Sequence, residues 1–302
     1  MKENGKSAVL IAGMILFWSV FYAVSKYMVQ ATGSPYLTGG LLRAAALIFL
    51  TAQLLVRHKF RDLFRQGKTV WIMFVIGCIG FLGDFFANLG YANGSLGVGT
   101  ALMKTDVLMA NLVTVVLYKR RLTLIEWLGT VVMLAGVLLV LNVSFGTESF
   151  RWSDVFFLLS AVSLASNAFV IQHAQRKYGK DPDMISYINN FTVLVLFTIV
   201  CLITGDYSRT MSTVSDYGWL ILLGGFAQTG IYFFYYRNLQ RHEVWIVKLY
   251  LLLMPVVSCL IGVVFLHETM TPKTIAGIVI VLLGAGLLLI RSRLPGNTQN
   301  QE

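Results

Sequence analysis

Charge is scarce in this chain. Asp, Glu, Lys and Arg make up 13% of its 302 residues, against about 25% in a typical soluble domain. Cysteine is also rare, and Cys78, Cys201 and Cys259 all fall inside apolar runs. That excludes a disulfide-framework protein, and no Cys/His ligand spacing suggests a metal. The four histidines, His58, His173, His242 and His267, are scattered. No clustered catalytic set of His or paired acids appears, so the chain does not read as an enzyme. Long polar linkers are missing too, since no gap between apolar runs exceeds roughly fifteen residues, which leaves no room for a soluble domain.

What the chain has in abundance is apolar sequence, 57% of the total. Runs near the ~20 residues that span hydrocarbon recur along its whole length. The reading is an all-α membrane protein with ten spans, near 8–29, 36–56, 70–91, 97–118, 125–142, 155–173, 184–204, 217–237, 244–266 and 273–291. The first run lacks a small-residue cleavage site and reads as a retained helix. Turn formers mark several links, among them Gly33-Ser34-Pro35, Asn93-Gly94-Ser95 and Asp181-Pro182-Asp183.

The net charge of +10 has the wrong distribution for nucleic acid. Seventeen of the 24 Lys and Arg residues lie in links on one side of this topology. Only Arg151, Arg209 and Lys273 lie on the other, while Lys26, Arg43, Lys104 and Lys248 lie within spans. By the positive-inside rule both termini are cytoplasmic in an inner or plasma membrane. Trp71, Trp127, Trp152, Trp219 and Trp245 sit near span ends, where amphipathic rings prefer the interface.

An internal repeat appears when the chain is shifted by 148 residues. Trp71 then meets Trp219, Gly77 meets Gly225, Gly129 meets Gly277 and Gly136 meets Gly284. The halves are 1–147 and 148–302. With five spans each, an odd number, they enter the membrane in opposite directions. Inverted repeats are typical of secondary transporters, with the site near the midplane between halves.

The chain resembles the drug/metabolite transporter superfamily, specifically the EamA-type ten-helix transporters. The resemblance is clearest in MPVVSCLIGVVFLHETMTPKTIAGIVIVLLGAGLLL, where Pro255 is followed thirteen residues later by Glu268. Trp18-Ser19 and Arg43 also match. The first half departs from the pattern, with Val107 and Arg120 where proline and glutamate are expected. The resemblance implies export of a small amino acid or related polar metabolite, exchanged for protons, without a cofactor. An organic anion and an aromatic or cationic drug are the alternative substrates, and a membrane-embedded enzyme acting on lipid is a further reading. Monomer and homodimer both stay open.

Ionisable side chains at membrane depth are expensive and mark pathways by default. The stretch GVGTALMKTDVLMANLVTVVLYKRR carries two of them, Lys104 and Asp106. Asp84 and Asp106 are the candidate proton carriers, and Arg43, Asp84, Lys104 and Asp106 lie at similar depth, where pairing is expected. Lys104 and Asp106 are two residues apart and point to different faces of a helix. Trp18, Tyr22 and Lys26 are spaced i, i+4, i+8 and share one face, which suits a cavity wall. Tyr232 corresponds to Asp84 under the 148 offset, and Asn167 to Ser19. Asn88, Asn111, Asn189, Asn190 and Gln228 add hydrogen-bonding groups that serve a cavity or tie helices together. Lys248 reads as an attractor of anions near the cytoplasm or as a snorkelling side chain. Pro255 reads as a mid-helix hinge for a gate.

Overall fold

The structure is a computed structural model that describes residues 2–118, 123–140 and 151–293. Twelve α-helices and short 3₁₀ turns make up the described residues, which contain no strand. In chain order the helices are α1 Lys2–Thr32, α2 Pro35–Val56, α3 Trp71–Asn93, α4 Leu96–Met103, α5 Asp106–Tyr118 and α6 Leu124–Val140. The second half contributes α7 Trp152–Tyr178, α8 Pro182–Thr204, α9 Thr210–Arg241, α10 Val244–Tyr250, α11 Met254–Leu266 and α12 Pro272–Arg293.

Local chemistry sets the boundaries. Ser34 accepts from the Leu37 amide at 3.1 Å and caps α2, with Pro35 in its first turn. Asp181 caps α8 in the same way, ahead of Pro182. Both prolines occupy positions whose amide would be unpaired in any case. Helix α7 ends on Gly179 at φ 59°, and α8 on Gly205 at φ 77°, a left-handed conformation that glycine adopts without steric penalty.

Six helical stretches are long and apolar enough to cross a membrane: Val9–Thr32, Pro35–Val56, Trp71–Asn93, Trp152–Tyr178, Pro182–Thr204 and Val244–Leu266. That is four fewer than the ten expected. The remaining runs are also helical: α12 spans 22 residues, and the others are short, broken or bent. Run 97–118 is divided into α4 and α5 by a turn at Lys104-Thr105. Helix α6 has 17 residues, and α9 bends at Tyr217, whose ψ of 19° leaves helical geometry. Large apolar side chains such as Leu202, Ile203, Leu222, Phe226, Leu260 and Phe265 cover the outside of the bundle. A soluble monomer rarely shows so much apolar surface, whereas lipid satisfies it.

Helix packing follows the 148-residue offset. Helix α3 packs on α7 and its counterpart α9 packs on α1, while α2 crosses α8 and α6 lies against α12. Matched glycines allow matched close approaches. A Cβ on Gly77 would lie 2.4 Å from Thr192 of α8, and one on Gly225 would lie 2.5 Å from Ala45 of α2. At Gly136 it would lie 2.6 Å from the Val281 backbone of α12.

Two helices break at corresponding places. The turn at Lys104-Thr105 maps by the offset onto Leu252-Leu253. There a 3₁₀ turn over Leu251–Leu253 separates α10 from α11. Pro255 therefore sits in the first turn of α11, not in the middle of a continuous helix. Its missing amide is harmless there, so it starts a helix rather than bending one.

Candidate functional site

Between the two ends of the bundle lies a cavity of about 50 Å³. Its polar lining comes from Arg43, Asp84, Asn167, Asn189 and Gln228, and its aromatic walls from Trp18, Phe21, Tyr232, Tyr235 and Tyr236. Gly80 admits two of the amides. A Cβ there would come within 2.9 Å of Asn189 Oδ1 and 3.3 Å of Asn167 Nδ2.

Arg43 of α2 is the hub. Its Nη2 donates to Asp84 of α3 and its Nη1 to the Tyr232 hydroxyl of α9. Nη1 also reaches Asn190 Oδ1 of α8 at 3.4 Å, and Asn190 returns a bond to the Arg43 carbonyl at 2.9 Å. The guanidinium lies over the rings of Phe21 and Tyr232 at 5.7 and 5.6 Å, a favourable position for a cation. Arg43 Nε, Asn167 Oδ1, Asn189 Oδ1 and Gln228 Oε1 are buried and make no hydrogen bond within the protein. Buried polar groups normally find a partner. These four unpaired groups belong to residues that line the cavity, so its wall is polar and incompletely satisfied.

A second buried pair lies outside this lining. Lys248 Nζ of α10 donates to Asp106 Oδ2 of α5 at 2.6 Å and to the Leu164 carbonyl at 3.1 Å. Lys248 is thus neither near lipid nor open to an anion in this state, since it is 0% exposed. Similar depth pairs Asp106 with Arg43 or Lys104, but the packing of the two broken helices brings α10 against α5 instead. Lys104 makes no ion pair among the described residues. Its ammonium lies 5.5 Å from the centroid of Trp18. Trp18 and Tyr235 meet edge to face at 4.9 Å and separate the two charged groups.

Each end of the bundle has its own ionic cluster. At one end Lys26 Nζ meets Glu268 Oε1 at 3.2 Å and donates to the Gly94 carbonyl at 2.5 Å. The Glu268 carboxylate also accepts from the Leu96 amide at 2.8 Å, at the start of α4, where a negative charge suits the helix dipole. At the other end Asp183 of α8 accepts from Arg57 at 2.7 Å, Arg237 at 2.8 Å and Gln53 at 3.0 Å. Lys59 bridges to Asp181 at 2.6 Å.

Of the residues proposed from sequence, Trp18, Arg43, Asp84, Asn167 and Tyr232 line the cavity. Tyr22 is buried against Trp18 and Tyr91 instead, and Lys26 has turned to Glu268. Asn88 ties helices together, accepting from Ser25 at 2.6 Å and donating to the Pro35 carbonyl at 3.2 Å. Lys104, Asp106 and Lys248 form the separate group behind the aromatic wall, and Pro255 begins α11. Arg120 lies outside the described residues, as does the side chain of Asn111. Sequence reading missed Phe21, Gly80 and the Asp183 cluster. An acid beside a helix-capping proline, facing the side rich in Arg and Lys, was the available sign for the last.

The geometry defines an integral membrane protein with a central polar cavity and an ionic cluster at each end. Comparison with known proteins gives its class. The model of the EamA-like transporter family matches residues 5–142 and again 151–290, so the chain belongs to that family, in two repeats. An uncharacterized transporter of Archaeoglobus fulgidus is 24% identical over 291 residues, which cover 95% of this chain and 100% of the relative. The uncharacterized transporter YdfC of Bacillus subtilis is 28% identical over 145 residues, 47% of this chain and 45% of that protein. A protein of solved crystal structure, 20% identical, superposes with a TM-score of 0.67 over 97% of this chain and 99% of its own, a likeness of fold. The chain is a transporter, not an enzyme.

Proposed function

We propose that the protein is a secondary exporter of a small amino acid or related polar zwitterion, exchanged for protons. In this reading the halves 1–147 and 148–302 are inverted five-span repeats that move against each other, with both termini in the cytoplasm. One observation carries the substrate assignment: a cation and an anion, Arg43 and Asp84, line a single cavity together with the amide side chains of Asn167, Asn189 and Gln228. Arg43 offers a forked donor to a carboxylate. Asp84 and the oxygens of Asn167, Asn189 and Gln228 offer acceptors to an ammonium. The volume of about 50 Å³ accommodates roughly four waters, which suits a small guest over a bulky drug.

Proton exchange follows from competition. Asp84 binds an ammonium only as a carboxylate, so a proton and the substrate occupy it alternately. Asp106 is the second candidate carrier. The aromatic walls of Trp18, Tyr232 and Tyr235 favour a second reading, an aromatic or quaternary cation held against ring faces.

A thermal-shift screen of the detergent-purified protein separates these readings. Zwitterionic, anionic and cationic metabolites are compared on wild type, Arg43→Met and Asp84→Asn. A zwitterion is expected to stabilise the wild type and neither variant. Stabilisation by anions alone, independent of Asp84, contradicts the assignment in favour of an organic anion. Stabilisation by cations alone, independent of Arg43, favours the drug reading.

A further inference from the structure

The Asp106–Lys248 pair has no part in the cavity, yet it joins the two halves at the point where both broken helices meet. Both side chains are almost completely buried, at 1% and 0% exposure. Three features around the pair remain unused. Asp106 Oδ1 is buried without a hydrogen-bond partner. The side chain of Lys104, two residues earlier and 1% exposed, makes no hydrogen bond or ion pair among the described residues. The backbone between them is not regular helix: Lys104 donates to Ala101 O at 3.1 Å and Val107 to Lys104 O at 3.2 Å, both three-residue spacings. Lys104 and Asp106 flank this turn, and Lys248 meets Asp106 from α10.

These three groups comprise two cations and one anion in a dry place. If α10 and α5 part as the halves move, Asp106 loses Lys248 and becomes an uncompensated buried carboxylate. Breaking a buried pair in that way is strongly unfavourable. A second lysine on the same half as Asp106, on a flexible four-carbon stem, removes the difficulty. We infer that Asp106 exchanges partners during transport: it pairs with Lys248 when the halves are together here, and with Lys104 when they have separated. In the present state Trp18 holds the waiting ammonium, and Trp18 also lines the cavity. Its partner Tyr235 lies 5.7 Å from Lys248 Nζ. One aromatic pair therefore connects the occupancy of the cavity to both lysines.

The inference rests on the alternating-access part of the proposed function and not on the substrate. Its test needs no substrate. Spin labels replace the exposed Arg61 and Lys177 at the Asp183 end, and Asn93 and Thr271 at the Glu268 end. The background has Cys78, Cys201 and Cys259 replaced by serine, and distances are measured in lipid nanodiscs. Wild type is expected to show two distance populations at each end. Lys104→Met is expected to deplete one of them at least tenfold, while Lys104→Arg keeps both. The neutral triple variant Lys104→Met/Asp106→Asn/Lys248→Met is expected to regain both, which a merely structural lysine does not predict. If Lys104→Met does not fold, Lys104→Gln serves in its place. Unchanged populations in the Lys104 variant overturn the exchange and leave alternating access standing. A single population in wild type overturns both.

Discussion

The ion pairs Arg43–Asp84 and Asp106–Lys248 differ in what surrounds them. Arg43–Asp84 belongs to one half of the chain and borders a cavity, with the Asp84 side chain 14% exposed. Tyr232 and Asn190 from the other half meet the same guanidinium. Asp106–Lys248 crosses between the halves, and its side chains are 1% and 0% exposed. The same chemistry thus has two uses. A pair at a cavity can be opened by a guest that supplies replacement charges. A sealed pair has no such guest, and the protein can supply the replacement itself.

The sharpest way to break this contrast is to remove one member of the sealed pair. Lys248→Met takes away the partner that Asp106 has with the halves together, and is expected to destabilise that state by about 3–5 kcal/mol. The thermal unfolding midpoint in detergent reads the loss. The double variant Lys248→Met/Asp106→Leu is expected to recover most of it, because a hydrophobic replacement of a buried pair is often neutral. A single variant as stable as wild type would mean that Asp106 is wet, protonated or already held by Lys104.

Asp84→Asn probes the other pair and is expected to behave oppositely. It keeps a hydrogen-bonding group beside Arg43, so the midpoint moves little. Flux falls about 100-fold, equivalent to about 2.7 kcal/mol of lost charge-assisted contact. Equal damage to stability and flux in both variants would erase the distinction between the pairs.

A smaller effect is expected at the Glu268 end. Glu268→Gln removes the counter-ion of Lys26, but Ser95 still caps α4 by accepting from Val98 at 3.2 Å. The expected cost is about 1–2 kcal/mol, with faster labelling of the partly exposed Cys259, which lies against Gly97, in a background where Cys78 and Cys201 are serine. Unchanged labelling would remove Glu268 from any role in closing this end.

The smallest effect belongs to Asp206, in the link after α8. Partial burial works to raise its carboxyl pKa, but the Ser34 hydroxyl and the Arg209 guanidinium outweigh this and hold it below the ordinary value. Its contribution to stability is therefore complete above the unfolded-state pKa of about 3.9 and declines as pH falls through the lower folded value. The difference in unfolding midpoint between wild type and Asp206→Asn should shrink only below about pH 4. A difference that is constant from pH 6 to pH 3 would show that the carboxylate charge contributes nothing.

Much of the fold was legible because lipid imposes long apolar helices and short links. The repeat was visible in matched glycines, and Gly77 and Gly225 do lie at matched close crossings. The break in the first half was not legible, because Lys104-Thr105 carries neither proline nor glycine. Its counterpart in the second half is followed by Pro255, which marks the break from sequence. Arg43 and Asp84 stood out as charges in apolar runs. The pairing of Asp106 with Lys248 did not, since it joins residues 142 positions apart through helix packing that no local pattern encodes. Amides were ambiguous for a related reason. Asn88 serves helix packing and Asn167 faces the cavity, and only the neighbouring helices decide which.

The most direct test of the central claim is counterflow in proteoliposomes loaded with a small unlabelled zwitterionic amino acid. Uptake of the labelled compound is followed for wild type, Arg43→Met and Asp84→Asn. The account predicts accumulation by wild type, competition by other small zwitterions, and loss in both variants, with the unfolding midpoint of Asp84→Asn close to wild type. Counterflow that survives in either variant, or that only anions or only cations elicit from wild type, would contradict it.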